Sequence, residues 1–137
     1  MNKKVISIYT DGSCLKPGGS GGWAVCIIED NIDFILSGYD AKTTNNRMEL
    51  TAIIEAISCI EKKQSCKIYT DSQLCINCAI GKWQRKANTD LWEKYNIVSK
   101  DKNITYEWVK GHSGNYYNEI VDKVAISEAK QRNLFSA

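Results

Sequence analysis

Residues 4–12, KVISIYTDG, and residues 66–72, CKIYTDS, carry the same phrase: Ile8-Tyr9-Thr10-Asp11 returns as Ile68-Tyr69-Thr70-Asp71. In the first copy Ile6, Ile8 and Thr10 alternate with Val5, Ser7 and Tyr9, the period of a strand with one buried face, and the strand is expected to end at Asp11-Gly12. The second copy, 66–70, is a short β-branched and aromatic run of the same type. Between them the period changes: Leu50, Ile53, Ile54, Ile57 and Ile60 recur at helical spacing from Asn45 onward, with Asn45 or Asn46 as the expected cap. Strand, helix, strand predicts a right-handed crossover between parallel neighbours. Asp11 and Asp71 then emerge together at the carboxyl edge of the sheet, where open α/β sheets bind ligands.

Outward from this unit, SCLKPGGSGG (13–22) is a loop with four glycines and the chain's one proline. Strands follow at about 22–29 and 32–38, split by the hairpin pair Asp30-Asn31, so three antiparallel strands run in succession. After the second parallel strand come a short helix over 72–80 ending at Gly81, a helix over 89–99, a strand over 104–109 and a final helix from near Asn118 to about Arg132.

The 137 residues fit one domain, 1–137, on a scale of roughly 100 to 200 residues each. With 43% hydrophobic and 25% charged residues the chain is neither disordered nor a membrane span. Met1-Asn2-Lys3-Lys4 runs directly into the first strand without a signal-peptide core, so the expected location is cytoplasmic, with no membrane partner. Eighteen basic residues against sixteen acidic ones give a net charge of +2, too balanced to announce a nucleic-acid partner by its overall field. The six cysteines (14, 26, 59, 66, 75 and 78) are expected to be mostly buried thiols. Cys75 and Cys78 have metal-ligand spacing, but with no second pair and a single histidine a zinc site is poorly supplied.

An aspartate that ends a strand before Gly or Ser serves, taken alone, as a turn former or helix cap. Two placed together repel, and a fold that keeps them so supplies a cation or a catalytic use. Glu49, read as lying in the first turn of the long helix at the edge of its apolar stripe, is a third candidate, though the helix dipole alone also favours an acid there. Asp122, about one turn into the last helix beside Val121, Val124 and Ala125, is a fourth. An all-oxygen site of this kind suits Mg²⁺ or Mn²⁺, and two such ions roughly 4 Å apart activate a water on one side of a phosphate and stabilise the leaving oxygen on the other. Phosphodiester hydrolysis is the chemistry this implies. His112, flanked by Gly111 and Gly114 in the loop after the last strand, suits proton transfer or product release at the rim, or is an exposed loop histidine with no role. Gly111-His112-Ser113-Gly114 lacks the glycine that a G-x-S-x-G elbow requires at 115, and the glycine loop after the first strand leads into another strand without Gly-Lys-Ser/Thr, so it is no P-loop.

These residues resemble type I ribonuclease H, which cuts the RNA strand of RNA/DNA hybrids. The motifs are YTDGSC (9–14), TTNNRMEL (43–50), YTDSQ (69–73), DLW (90–92) and EWVKGHSG (107–114), followed by Asn118-Glu119 and Asp122, in the family's order over nearly the whole chain. The resemblance implies an RNase H-like α/β fold, a five-stranded mixed sheet flanked by helices. It implies Asp11, Glu49, Asp71 and Asp122 as the metal-binding acids, His112 as a flexible-loop helper, and products with 5′-phosphate and 3′-hydroxyl ends. In similar enzymes the positions of Asn45, Asn46 and Gln73 reach minor-groove edges and ribose 2′-hydroxyls, and those of Thr44 and Asn46 hold a phosphate of the DNA strand. Gly12 belongs to the same implied substrate-facing set. An amide both donates and accepts, so it can read a 2′-hydroxyl.

The chain departs from the pattern in two places. Only Gly81-Lys82-Trp83-Gln84-Arg85-Lys86 remains of a longer basic protrusion; Lys82, Trp83, Arg85 and Lys86 either grip the substrate or form a solvated basic turn over a core tryptophan. Lys16-Pro17 stands where an asparagine contact is typical. A monomer with no obligate protein partner is expected. A DNA-directed nuclease of the same superfamily and a noncatalytic hybrid-binding module are the alternatives.

Overall fold

Ile6, Ile8 and Thr10 are buried on one face of the first strand, as their alternation requires. The computed structural model describes residues 4–135, with side chains through Gln131; the expectation drawn from the first three residues, and the two ends of the 1–137 domain range, lie outside them. The elements are β1 (Val5–Cys14), β2 (Gly21–Glu29), β3 (Ile32–Asp40), α1 (Asn45–Ser58), β4 (Ser65–Thr70), α2 (Gln73–Ala79), α3 (Thr89–Ser99), β5 (Asn103–Trp108) and α4 (Tyr116–Phe135). The five strands form one mixed sheet in the order β3-β2-β1-β4-β5, antiparallel from β3 to β1 and parallel from β1 to β5. Asp30 and Asn31 both take positive φ, 53° and 64°, the geometry of a two-residue hairpin whose twist matches its strands.

The repeated phrase sits in register. Ile8 pairs with Ile68 and Tyr9 with Tyr69, and α1 makes the crossover. One face of the sheet buries Ile8, Val25, Ile27 and Ile68 against Leu50, Ile53 and Ile57 of α1; the other buries Ala24 and Cys26 against Val121 and Ala125 of α4. The sheet edge bearing both aspartates is therefore clamped by a helix on each side. No helix among the described residues is long and apolar enough to cross a membrane. All six cysteines are free; four are buried as expected, whereas Cys59 is exposed and Cys14 half-buried.

Several local expectations change. β1 does not stop at Asp11-Gly12 but continues to Cys14, because Ser13 and Cys14 find ladder partners in Gly22 and Gly21. The cap of α1 is neither Asn45 nor Asn46 but Thr44, whose Oγ1 accepts from Arg47 N at 3.2 Å, while Asn45 Oδ1 accepts from Cys14 N. With the helix starting at Asn45, Glu49 opens its second turn and lies beyond the four free N–H groups that favour an acid. α4 begins two residues earlier than expected, since Asn115 Oδ1 accepts from Asn118 N.

Gly12 sets the distance between α1 and the sheet. A Cβ there would stand 2.2 Å from both Glu49 N and the Met48 carbonyl carbon, which are backbone atoms unable to yield. Gly12→Ala must force the helix off the strand. It is expected to lower unfolding stability by about 3 kcal/mol, measured by urea titration, and an unchanged midpoint would contradict this packing.

Candidate active site

Asp11 lies within β1, 3% exposed, so it is neither a turn former nor a strand terminus. Asp71 follows β4 directly, and the capping role open to it is filled by Ser72, whose Oγ accepts from Cys75 N. Glu49 comes from α1, 5% exposed, brought in by the close approach at Gly12. One oxygen from each of these three carboxylates lies within 4.8 Å of the other two. Gly12 N donates to both Asp11 Oδ1 (2.9 Å) and Glu49 Oε1 (2.8 Å), which orients the two acids toward one point. Asp122 stands outside this trio but lines the same cleft. Its Oδ2 is 3.8 Å from His112 Nδ1, and the histidine, at φ 56° on the loop before α4, has a side chain 80% exposed.

The end of β5 and the loop that follows it run close to Asp71. Trp108 Nε1 donates to the Asp71 carbonyl at 3.1 Å, and Gly111 passes so close that a Cβ would lie 2.7 Å from Asp71 Oδ2. Neither contact is signalled by spacing, though both residues belong to the 107–114 motif.

Burial makes the trio reluctant to ionise. It pushes Asp11 up to about 7, with a contact from Glu49 and the Gly12 N–H pulling the other way and the Asp71 charge adding to the rise. Glu49 is held well above the usual carboxylate range, first by burial and then by Asp11. Asp71 is raised as well, chiefly by burial. Glu49 Oε2 is buried with no hydrogen-bond partner among the described residues. A divalent cation would fit this donor set: it meets only oxygens, satisfies the orphaned Glu49 atom, and favours the charged forms that burial opposes.

The cleft has a volume of about 510 Å³. Gly12, Asn45, Asn46, Gln73 and His112 line it with the four acids, and so do Ser13, Ser72, Leu74 and Ile126, which sequence reading passed over. The two serines each stand within two residues of a repeated aspartate, a signal the echo itself could have supplied. Thr44 lies off the cleft as the helix cap. Lys86 lines a smaller adjoining groove of about 200 Å³, which shares Asn46 and Leu74 with the cleft. Lys82 and Trp83 are exposed, whereas Arg85 folds inward, its guanidinium 4.3 Å from the Trp92 ring and its Nε donating to Cys78 O. The tryptophan under the basic turn is thus Trp92, and Trp83 is 46% exposed.

The RNase H family model matches residues 3–130. The chain is 38% identical to a ribonuclease H of Caldanaerobacter subterraneus over 95% of this chain and 94% of that one. It is 39% identical to a ribonuclease H of Caldicellulosiruptor saccharolyticus over 93% and 98%. The fold superposes on LC11-RNase H1 with a TM-score of 0.78 at 21% identity, covering 96% of this chain and 99% of the other. With its carboxylates gathered at the edge of this five-stranded sheet, the chain belongs to the RNase H family and is a ribonuclease H enzyme.

Proposed function

We propose that this chain hydrolyses the RNA strand of RNA/DNA hybrids, using two Mg²⁺ ions, replaceable by Mn²⁺, and leaving 5′-phosphate and 3′-hydroxyl ends. The observation that carries the reading is the convergence of Asp11, Glu49 and Asp71 within 4.8 Å in an open cleft, with a buried Glu49 oxygen left unpaired. LC11-RNase H1, of the same fold, was solved in complex with an RNA/DNA hybrid.

Asp11, Glu49 and Asp71 would hold the ions, with Asp122 joining from the rim. Bound divalent cations lower the pKa of an attacking water and offset charge on the oxygen that leaves. Gly12 N–H keeps Asp11 and Glu49 aimed at the cleft. His112, exposed and in ion-pair reach of Asp122, accepts or returns a proton at the rim and swings clear as product departs. Asn45, with its Oδ1 engaged by Cys14 N, presents its NH₂ to the substrate; Asn46 and Gln73 stand beside it to meet minor-groove edges and 2′-hydroxyls. Thr44 and Asn46 would hold a phosphate of the DNA strand, and Lys82, Trp83 and Lys86 flank the path of the duplex beyond the adjoining groove. We place the enzyme in the cytoplasm as one domain over 1–137; six free thiols suit a reducing compartment.

With Mg²⁺ or Mn²⁺ the protein is expected to cut labelled RNA in a hybrid, to spare double-stranded RNA and DNA, and to stop when chelator is added. Cutting of DNA as readily as RNA would defeat the assignment, and binding without cutting would leave only a binding module. Asp71→Asn keeps the shape and removes a metal-binding charge, so turnover should fall about 10³-fold or more while hybrid affinity in gel shift stays within a few-fold. Near-normal turnover would exclude Asp71 from the site. Metal-free stability offers an independent check. The folded pKa of Asp11 rises from 3.8 to about 7, so its favourable contribution is complete below about pH 4 and is lost as pH climbs through 7. Asp11→Asn should flatten that decline in melting temperature, and Mg²⁺ should raise the melting point of the wild type more than that of the variant.

A further inference from the structure

Two strands away from the catalytic β1, strand β3 forms an edge of the sheet, bonded among the described residues to β2 alone. Its other side presents a row of unpaired backbone donors and acceptors, the ready template for another strand. Soluble proteins usually blunt such an edge with lysine, proline or a bulge. β3 has none of these: Ile-Asp-Phe-Ile-Leu-Ser-Gly-Tyr-Asp runs nine residues in unbroken register from Glu29↔Ile32 to Gly21↔Asp40. Ile32 (65% exposed), Phe34 (47%) and Leu36 (37%) share one face and continue, past the reach of α1, the apolar row that Ile27 and Val25 bury beneath it.

We propose that β3 is a self-association surface, pairing antiparallel with β3 of a second copy about a twofold axis at Leu36. In that register residue numbers facing each other sum to 72, and the sequence is complementary to itself. Phe34 faces Gly38 of the other copy. Gly38 has no room for a Cβ because the Trp23 ring already lies 2.5 Å from where one would stand, so the incoming ring covers the glycine and meets that indole. Asp33 faces Tyr39 and Asp40 faces Ile32, so no like charges stand opposite, and just beyond the strand ends Lys42 comes level with Asp30. Shifting the axis to Ile35 would bring Asp30 level with Asp40 instead, which charge repulsion disfavours. The product is a continuous ten-stranded sheet. Because the partner strands run oppositely, the two clefts open at opposite edges, and neither copy obstructs the other's substrate. This departs from the monomer expected from sequence, and it does not depend on the proposed reaction.

Sedimentation equilibrium or multi-angle light scattering at about 100 µM should give twice the chain mass, with a dissociation constant of about 10 µM or tighter. Leu36→Lys places a desolvated charge against its own copy and should weaken the dimer about 100-fold or more, with an unchanged circular dichroism spectrum. Leu36→Cys should form an intermolecular disulfide under mild oxidation, seen on a non-reducing gel and absent in the wild type, since facing α-carbons in a ladder lie roughly 4.5–5.5 Å apart. A single monomeric species at that concentration overturns the proposal. So does a dimer that Leu36→Lys leaves intact, which would locate the interface elsewhere. A monomer that captures only an unrelated protein overturns self-pairing as well.

Discussion

The close approach of α1 to β1 at Gly12 is the constraint on which the rest of the site depends. A strand–helix contact with no intervening Cβ brings Glu49 to the level of Asp11, and the same residue's N–H then bridges the two carboxylates. Any side chain at Gly12 would separate them. The parallel register of β1 and β4 supplies the third acid by a separate route, since pairing Tyr9 with Tyr69 carries the chain on to Asp71 beside Asp11.

Such a cluster works against the fold that makes it. Three carboxyl groups drawn from water and placed side by side resist ionisation, and an unpaired buried oxygen on Glu49 adds to the cost. The rest of the molecule offsets this with two apolar layers, one on each face of the sheet, and with the Arg47–Asp90 pair, bidentate at 3.0 and 2.7 Å, which ties α1 to α3 outside the cleft. Rigid elements fix the buried acids, while His112, Asn45, Asn46 and Gln73 around them are exposed. His112 sits on the loop that follows β5, which runs close to Asp71 at Gly111 and leaves the imidazole exposed.

The two edges of the sheet serve different ends. β3 is apolar and regular where an edge is normally protected, while β5 is shorter, six residues, with Glu107 tied to Lys67 on the neighbouring strand at 2.8 Å. The contrast explains why pairing with a second copy is assigned to one edge and not to the other. It also keeps association away from the carboxylates, whose cleft is lined by residues of β1, α1, α2 and α4 and by none of β3.

Alternation in residues 5–10, helical spacing from Leu50 to Ile60 and the hairpin pair Asp30-Asn31 were enough to determine the strands, the crossover and the meeting of Asp11 with Asp71, because period and turn chemistry are local properties. The quoted motifs likewise named the four acids, and the fold brings all of them to one cleft. Three outcomes were decided only in three dimensions: Thr44 capping α1 in place of Asn45, β1 extending through Asp11, and Arg85 turning inward onto Trp92. In each case a residue had two chemically acceptable partners, and the choice between them came from a segment distant in the chain, through Cys14 N, through Gly21 and Gly22, and through the aromatic rings of α3. Sequence pattern carries the local preferences; competition for distant partners is settled only when the elements pack.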